Sequence, residues 1–327
     1  MNTRVIMLIG TFIIILLSTC CKKEEPNPEP ATIPSISTTN VSAIKITSAT
    51  CGGNVSNDGG TPIIVRGVCW STQSNPTILD NYTQDGCGVG ISVSTLTNLR
   101  ANITYYVRAY ATNSIGTAYG NDVTFIIYLN QPGSPVTDID GNVYHTVTIG
   151  SQVWMVENLN TTRYRDGTNI ENITDYTIWS NLIVGAYSDY LNSPSSYTTY
   201  GRLYNWYAVN DAHNICPTGW HVPIDAEWTT LITFLEFNEG NKLKERGTVH
   251  WVSSSTIATN ETGFTALAGG FRQDDGAFNA IRIVGSWWSA SENNTTSAWG
   301  YDLNSYGNIF RDYTSKRFGC SLRCIMD

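Results

Sequence analysis

Cys216-Pro217-Thr218-Gly219-Trp220-His221-Val222-Pro223-Ile224-Asp225-Ala226-Glu227-Trp228 is the stretch from which the larger part of the chain can be read. It joins a cysteine, a Gly-Trp turn and a proline that leads into the clearest amphipathic helix of the sequence. Trp228, Leu231, Ile232 and Leu235 fall at i, i+3, i+4 and i+7, which gives that helix one buried face. Asp225 is expected as its N-cap, the carboxylate accepting free backbone N–H groups and favoured by the helix dipole. Asn238 to Gly240 is expected to end it.

The totals set the frame. A chain of 327 residues has room for about two domains. Charged residues are only 14%, against roughly 25% in ordinary globular proteins. Ser, Thr, Asn and Gly fill the difference, as in extracellular β proteins rich in turns. The net charge is −8 with no long basic run, which argues against a nucleic-acid partner.

The N-terminus speaks to the compartment. Residues 1–19 carry Arg4 and then an apolar run from Val5 to Leu17, the pattern of a secretory signal and too short for a stable span. Leu17-Ser18-Thr19-Cys20-Cys21 resembles a bacterial lipoprotein box, with Cys20 as the acylated residue and Cys21 as the alternative. Thr19 departs from the Gly, Ala or Ser usual before the Cys. Lys22-Lys23-Glu24-Glu25 resembles the export signal of surface lipoproteins in Bacteroidetes. These resemblances imply an outer-membrane partner reached through a lipid anchor, each buried CH₂ contributing about 0.8 kcal/mol. Pro26, Pro28, Pro30 and Pro34 make residues 20–34 an extended spacer.

Residues 35–128 read as β structure. Lys45 to Val55, Ile63 to Trp70, Gly90 to Leu96 and Thr104 to Asn113 alternate or run apolar between Gly, Asn and Asp turns, which suggests a sandwich. The segment from Leu96 to Gly116 resembles the late strands of a fibronectin type III domain, where a Tyr locks a corner. Gly86-Cys87-Gly88-Val89-Gly90 lacks the spacing of a phosphate loop and reads as a turn. Cys51, Cys69 and Cys87 are an odd number, and their pairing stays open.

Residues 136–327 hold nine of the ten tryptophans. Val143 to Ile149, a Gly150 turn and Gln152 to Met155 read as two strands. The segments Trp154 to Thr162, Gly201 to Val209, Cys216 to Trp228, Lys242 to Glu245, Gly263 to Leu267 and Ser321 to Cys324 resemble, in order, the Fibrobacter succinogenes major paralogous domain. The Gly-Trp-x-x-Pro-x-x-x-Glu-Trp core is also similar to the helix start of C-type-lectin-like and formylglycine-generating-enzyme-like folds. These likenesses imply an α+β head after the all-β sandwich. Cys216 and Cys324 stand at family cysteine positions, which with export implies a disulfide.

No catalytic constellation emerges. Cys320 and Cys324 lack C-x-x-C spacing, and they do not sit in the late motif that an oxygen-activating enzyme of the formylglycine-generating type would need. His145, His213, His221 and His250 form no His-Glu-x-x-His, and no fourth ligand completes a zinc set around Cys216 and His221. No cofactor motif occurs, and the sugar-binding tripeptides of calcium lectins are missing. The candidate ligand-binding residues are Asp274 and Asp275, with Asp302 and Glu292 as further carboxylates, and the aromatics Trp287, Trp288, Trp299 and Tyr301. Adjacent strand residues point to opposite faces, so one ring of Trp287-Trp288 is expected in the core and the other outside. The expected function is recognition of a glycan or a surface protein without catalysis. An enzyme on polysaccharide and a structural surface component are the alternatives.

Lipidation has a direct test. Cys20→Ser is expected to move the protein from the membrane fraction to the soluble one, unless Cys21 is the anchor. Retention of the Cys20→Ser/Cys21→Ser double variant in membranes would refute it.

Overall fold

A computed structural model describes residues 29–252 and 257–327. The expected signal, Cys20 and the first half of the spacer lie outside the described residues. Among the described residues no helix is long and apolar enough to cross a membrane. The architecture is mostly β, in several sheets.

The first unit runs β1 (Ser35–Thr38), β2 (Ala49–Asn57), β3 (Val65–Ser71), β4 (Asn81–Tyr82), β5 (Gly90–Leu96), β6 (Thr104–Thr112), β7 (Thr117–Tyr119) and β8 (Val123–Ile126). One sheet has the order β1-β2-β5; the other is β4-β3-β6-β7, with β8 also on β6. Their inner faces share Ala49, Cys51, Val68, Leu96, Val107, Ala109 and Phe125. The sheets come so close at Gly53 that a Cβ there would lie 2.4 Å from that of Ala109. Tyr105 closes the corner before β6: its hydroxyl accepts from the Arg100 N–H at 3.0 Å, and its ring stacks on Phe125. Cys51 and Cys69 are buried and unbridged, and Cys87 is exposed.

The second unit begins earlier than expected. Leu129–Pro132 forms β9, the edge of the head's five-stranded sheet, rather than a linker ahead of residue 136. Then follow β10 (Val136–Thr137), β11 (Val143–Tyr144), β12 (Thr146–Ile149), β13 (Gln152–Met155), β14 (Glu171–Asn172), α1 (Tyr176–Ser180), β15 (Ala186–Ser188), α2 (Pro194–Tyr200), β16 (Leu203–Tyr204), α3 (Trp206–Val209), β17 (Trp220–His221), α4 (Asp225–Leu235), α5 (Glu239–Leu243), β18 (Phe271–Arg272), β19 (Phe278–Asn279), β20 (Val284–Glu292), β21 (Ser297–Asn304), β22 (Ile309–Ser315) and β23 (Ile325–Met326). The main sheet has the order β17-β23-β13-β12-β9, so the last strand lies between two earlier ones. β20, β21 and β22 form an antiparallel meander.

The expected helix is present as α4, with Trp228, Leu231, Phe234 and Leu235 buried. Its start differs from the expectation. Ile224 is the N-cap, and Glu227 reaches back so that Oε2 accepts the Ile224 N–H at 2.8 Å. Glu227 thus makes half of a capping box. Asp225 is freed from capping by this and turns to Arg311 and Tyr301 instead. Asn238 does not end α4 but precedes α5.

The two units share one apolar core that runs from Val68 and Phe125 through Leu129 and Ile149 to Trp154 and Leu231. Polar contacts fasten the junction. The Ile46 N–H donates to the Phe234 carbonyl at 3.1 Å, and the hydroxyls of Thr47 and Ser48 donate to the Glu236 carboxylate at 2.5 and 3.2 Å.

Cys216 and Cys324 form the disulfide that the family positions implied, with Cα atoms 6.0 Å apart across 108 residues of chain. It ties the segment leading into α4 to the segment before β23. A loop of this length is worth about 4–5 kcal/mol in the chain-entropy account. Replacing both cysteines by serine is expected to lower the thermal midpoint by roughly 10 °C under oxidising conditions. Under reducing conditions variant and parent are expected to melt together; equal midpoints without reductant would mean the bond carries no stability.

Candidate functional site

The β20–β22 meander holds the late aromatics and the acidic residues around them. Its register puts Trp287 opposite Tyr301, and Tyr301 opposite Arg311. This face packs on α4. Tyr301 stacks on Trp228 with centroids 4.9 Å apart, and Trp287 lies against Trp228 and Phe264. Trp288 takes the other face, paired with Gly300, and its indole N–H donates to the Tyr204 carbonyl at 2.8 Å. The alternation holds, but both faces are covered at this point. Trp287, Trp288 and Tyr301 are all buried, which corrects the expectation that one ring of the pair meets solvent.

Trp299 lies further along the α4 side, half-buried. The Arg311 guanidinium sits 3.3 Å from its ring centroid, and Tyr313 meets it edge-on. Arg311 also grips Asp225 with two hydrogen bonds, of 2.6 and 3.0 Å. The Arg311 hydrogen bond holds the Asp225 carboxyl below its ordinary value, against the opposing effect of burial. Trp299 is therefore capped by a cation that is itself neutralised.

On the opposite face, past Trp288, the meander opens into a cleft of about 190 Å³. Gly300, Ser286, Asp302, Asp312 and Cys320 line it, with Phe271 and Phe318 among its apolar walls. The two phenyl rings stack on each other with centroids 5.8 Å apart. Asp302 pairs with Phe310, and Gly300 with Asp312, so the two carboxylates are diagonal neighbours on one face. The Ser286 hydroxyl donates to Asp302 Oδ1 at 2.5 Å and stands 3.4 Å from Cys320 Sγ. Burial raises the Asp302 carboxyl; the Ser286 hydrogen bond opposes this, and the charge of Asp312 adds to it. Burial also raises the Cys320 thiol, which keeps it a thiol and no nucleophile at neutral pH. Among the described residues no Lys, Arg or His lines the cleft.

The other expected residues lie elsewhere. Asp274 and Asp275 form the tight turn between β18 and β19, where Asp275 Oδ1 accepts the Ala277 N–H at 2.9 Å. They serve the turn and do not line the cleft. Glu292 pairs with Lys316. Each of the four histidines meets a carboxylate: His145 with Glu157, His213 with Asp211, His221 with Asp327 and Glu227, His250 with Glu245. Among the described residues no group of three or more His, Cys, Asp or Glu side chains is placed to hold a metal ion.

The chain is thus a mostly β protein with a disulfide-closed second unit and an acidic, aromatic-walled cleft. The model of the Fibrobacter succinogenes major domain matches residues 147–326, more than half of the chain, and the chain belongs to that family. No curated protein matches it. Among solved structures it is similar to titin kinase and its flanking domains, at 13% identity over 38% of this chain and 29% of that one, with a TM-score of 0.21. It is also similar to the twitchin kinase region from C. elegans, at 11% identity over 62% of this chain and 34% of that one, with a TM-score of 0.23. The chain thus spans about a third of either protein, and likenesses this loose assign neither fold nor activity.

The raised Asp302 carboxyl has a signed consequence. Its ionised form costs stability at neutral pH, and that cost vanishes as pH falls below the ordinary carboxylate value. Asp302→Asn is expected to raise the thermal midpoint at pH 7, with the gain shrinking to nothing near pH 3. A gain that persists unchanged at low pH would contradict the buried-charge account.

Proposed function

We propose that the protein is a lipid-anchored protein of the outer-membrane surface that binds a glycan or protein partner without catalysis. In this reading a fibronectin type III-like sandwich carries a C-type-lectin-like head. The strand orders β1-β2-β5 and β4-β3-β6-β7, with the Tyr105 corner, support the first assignment. The Gly219-Trp220 to Glu227-Trp228 helix start and the placing of β23 beside β13 support the second. Lipidation at Cys20 rests on the sequence alone.

The observation that carries the binding role is the cleft on the outer face of the meander. Two carboxylates accept hydrogen bonds from the hydroxyls of a sugar, and the apolar walls suit the C–H faces of its ring. The cleft is small enough to recognise one ring at a time rather than to enclose a polymer.

A glycan array and a pull-down with the purified chain test this together. Binding is expected to fall at least tenfold in Asp302→Asn and in Asp312→Asn, since a hydrogen bond to a charged group is worth about 1.5–3 kcal/mol. No ligand from either assay would overturn the proposal. The second reading, hydrolysis of a surface polysaccharide, is favoured by one observation. Asp302, with its raised carboxyl, and Asp312 resemble the acid and base pair of glycosidases. Turnover of any polymer that both variants abolish would put that reading first.

A further inference from the structure

A second site lies where the two units meet. A groove of about 660 Å³ runs between the first unit and α4, with Ile44 on one side and Ile149 and Phe234 below. The outer face of α4 forms its far side. That face carries Ala226, Thr229, Thr230 and Thr233, all exposed and none charged. A solvated face of a surface helix carries charged or strongly polar side chains, and threonine is a weak helix former. This face therefore carries no charge and little helix propensity of its own. The hydroxyls of Thr229 and Thr230 donate to the carbonyls of Asp225 and Ala226 at 2.9 and 2.8 Å. With their polar atoms engaged by the helix, they offer the groove their methyl groups.

The lining is mostly apolar, with Ser42, Ser151 and Gln152 as neutral polar members and one charge. Among the described residues Lys45 is the single charged one that lines the groove, and its ammonium has no ion pair or hydrogen bond with any of them. An apolar trough with one unspent cation complements a ligand with an apolar body and one anionic end. We infer that the groove binds a long-chain carboxylate, a free fatty acid. Its chain lies along the threonine face of α4 over Ile149 and Phe234, and its carboxylate meets Lys45. This site is separate from the acidic cleft on the meander, which repels such a ligand.

Calorimetric titration of the full chain tests the assignment, with dodecanoate and dodecyltrimethylammonium below their micelle concentrations and dodecanol below its solubility limit. Dodecanoate is expected to bind saturably at one site and at least tenfold tighter than dodecanol, with no saturable binding of the cation. Lys45→Met is expected to remove that tenfold advantage and leave dodecanol unchanged. Thr230→Trp, filling the groove from its exposed wall, is expected to abolish dodecanoate binding with the thermal midpoint retained. Thr233→Trp takes its place should the first variant melt early. Equal dodecanoate affinity in Lys45→Met and parent would overturn the inference, as would saturable binding of the cation or none of dodecanoate. Concentration-dependent dimerisation that Thr230→Trp abolishes would overturn it too, and would give the groove to a second copy of the chain.

Discussion

The second unit depends on the contact between Trp228 and its aromatic neighbours. Trp228 sits one turn into α4 and touches Trp154 of β13, Phe264, Trp287 of β20 and Tyr301 of β21. A single indole thus links the helix to the main sheet and to the meander. Aromatic pairs of this kind contribute roughly 0.5–1.5 kcal/mol each beyond simple burial. α4 needs that support, since three threonines and an isoleucine make it a poor helix in isolation. The disulfide acts on the same region from the other side. It fixes the chain just before the helix to the last strand, so Trp228 meets its partners in one arrangement.

Three buried cations add a different constraint. Lys244, Arg272 and Arg323 are almost wholly buried and form no ion pair among the described residues. Carbonyl oxygens and aromatic faces hold them: Arg272 on Trp179 and the Ile173 to Asp175 carbonyls, Arg323 on Phe264 with Asn158 and Thr265, Lys244 on Trp251. Burial draws the Lys244 ammonium down to about 8 and the Arg323 guanidinium to about 9. Burying a cation with no counter-ion costs stability even when carbonyls and rings hold it, and the contacts it makes specify which loops meet. Arg272 gathers the 173–175 segment and the turn at Gly276 into one place. The long region poor in regular structure is pinned there rather than left to wander.

How much of this could be read from the sequence depended on range. The α4 face followed from local period, the Gly150 turn from its residue type, and the Tyr105 corner from a short pattern. The Cys216–Cys324 bond needed the family positions as well. The N-cap was misplaced because Asp225 offers a capping carboxylate in sequence, while in space Arg311, many residues later, claims it. Trp287 and Trp288 obey the alternation, but the covering on both faces comes from α4 and from the Tyr204 segment, which no local pattern reveals. The diagonal placing of Asp302 and Asp312 was within reach. Counting outward from the Asn304 to Asn308 turn gives the hairpin register, and that places both carboxylates on one face. Asp274 and Asp275 drew attention as adjacent acids, yet a tight turn accounts for both.

The junction has a mechanical side. β9 leaves the sandwich and enters the head's sheet within a few residues of β8, and Glu236 clasps the loop that contains Thr47 and Ser48. One core running through both units opposes swivelling at the junction. A load applied at the meander reaches the main sheet through the packed rings of Trp287, Tyr301, Trp228 and Trp154, and then passes along β13, β12 and β9. The sandwich then acts as a strut that keeps the acidic cleft at a fixed attitude, and it grips the chain that enters it as far back as Thr32, which Gly59 and Asn113 hold by hydrogen bonds of 2.8 and 2.7 Å.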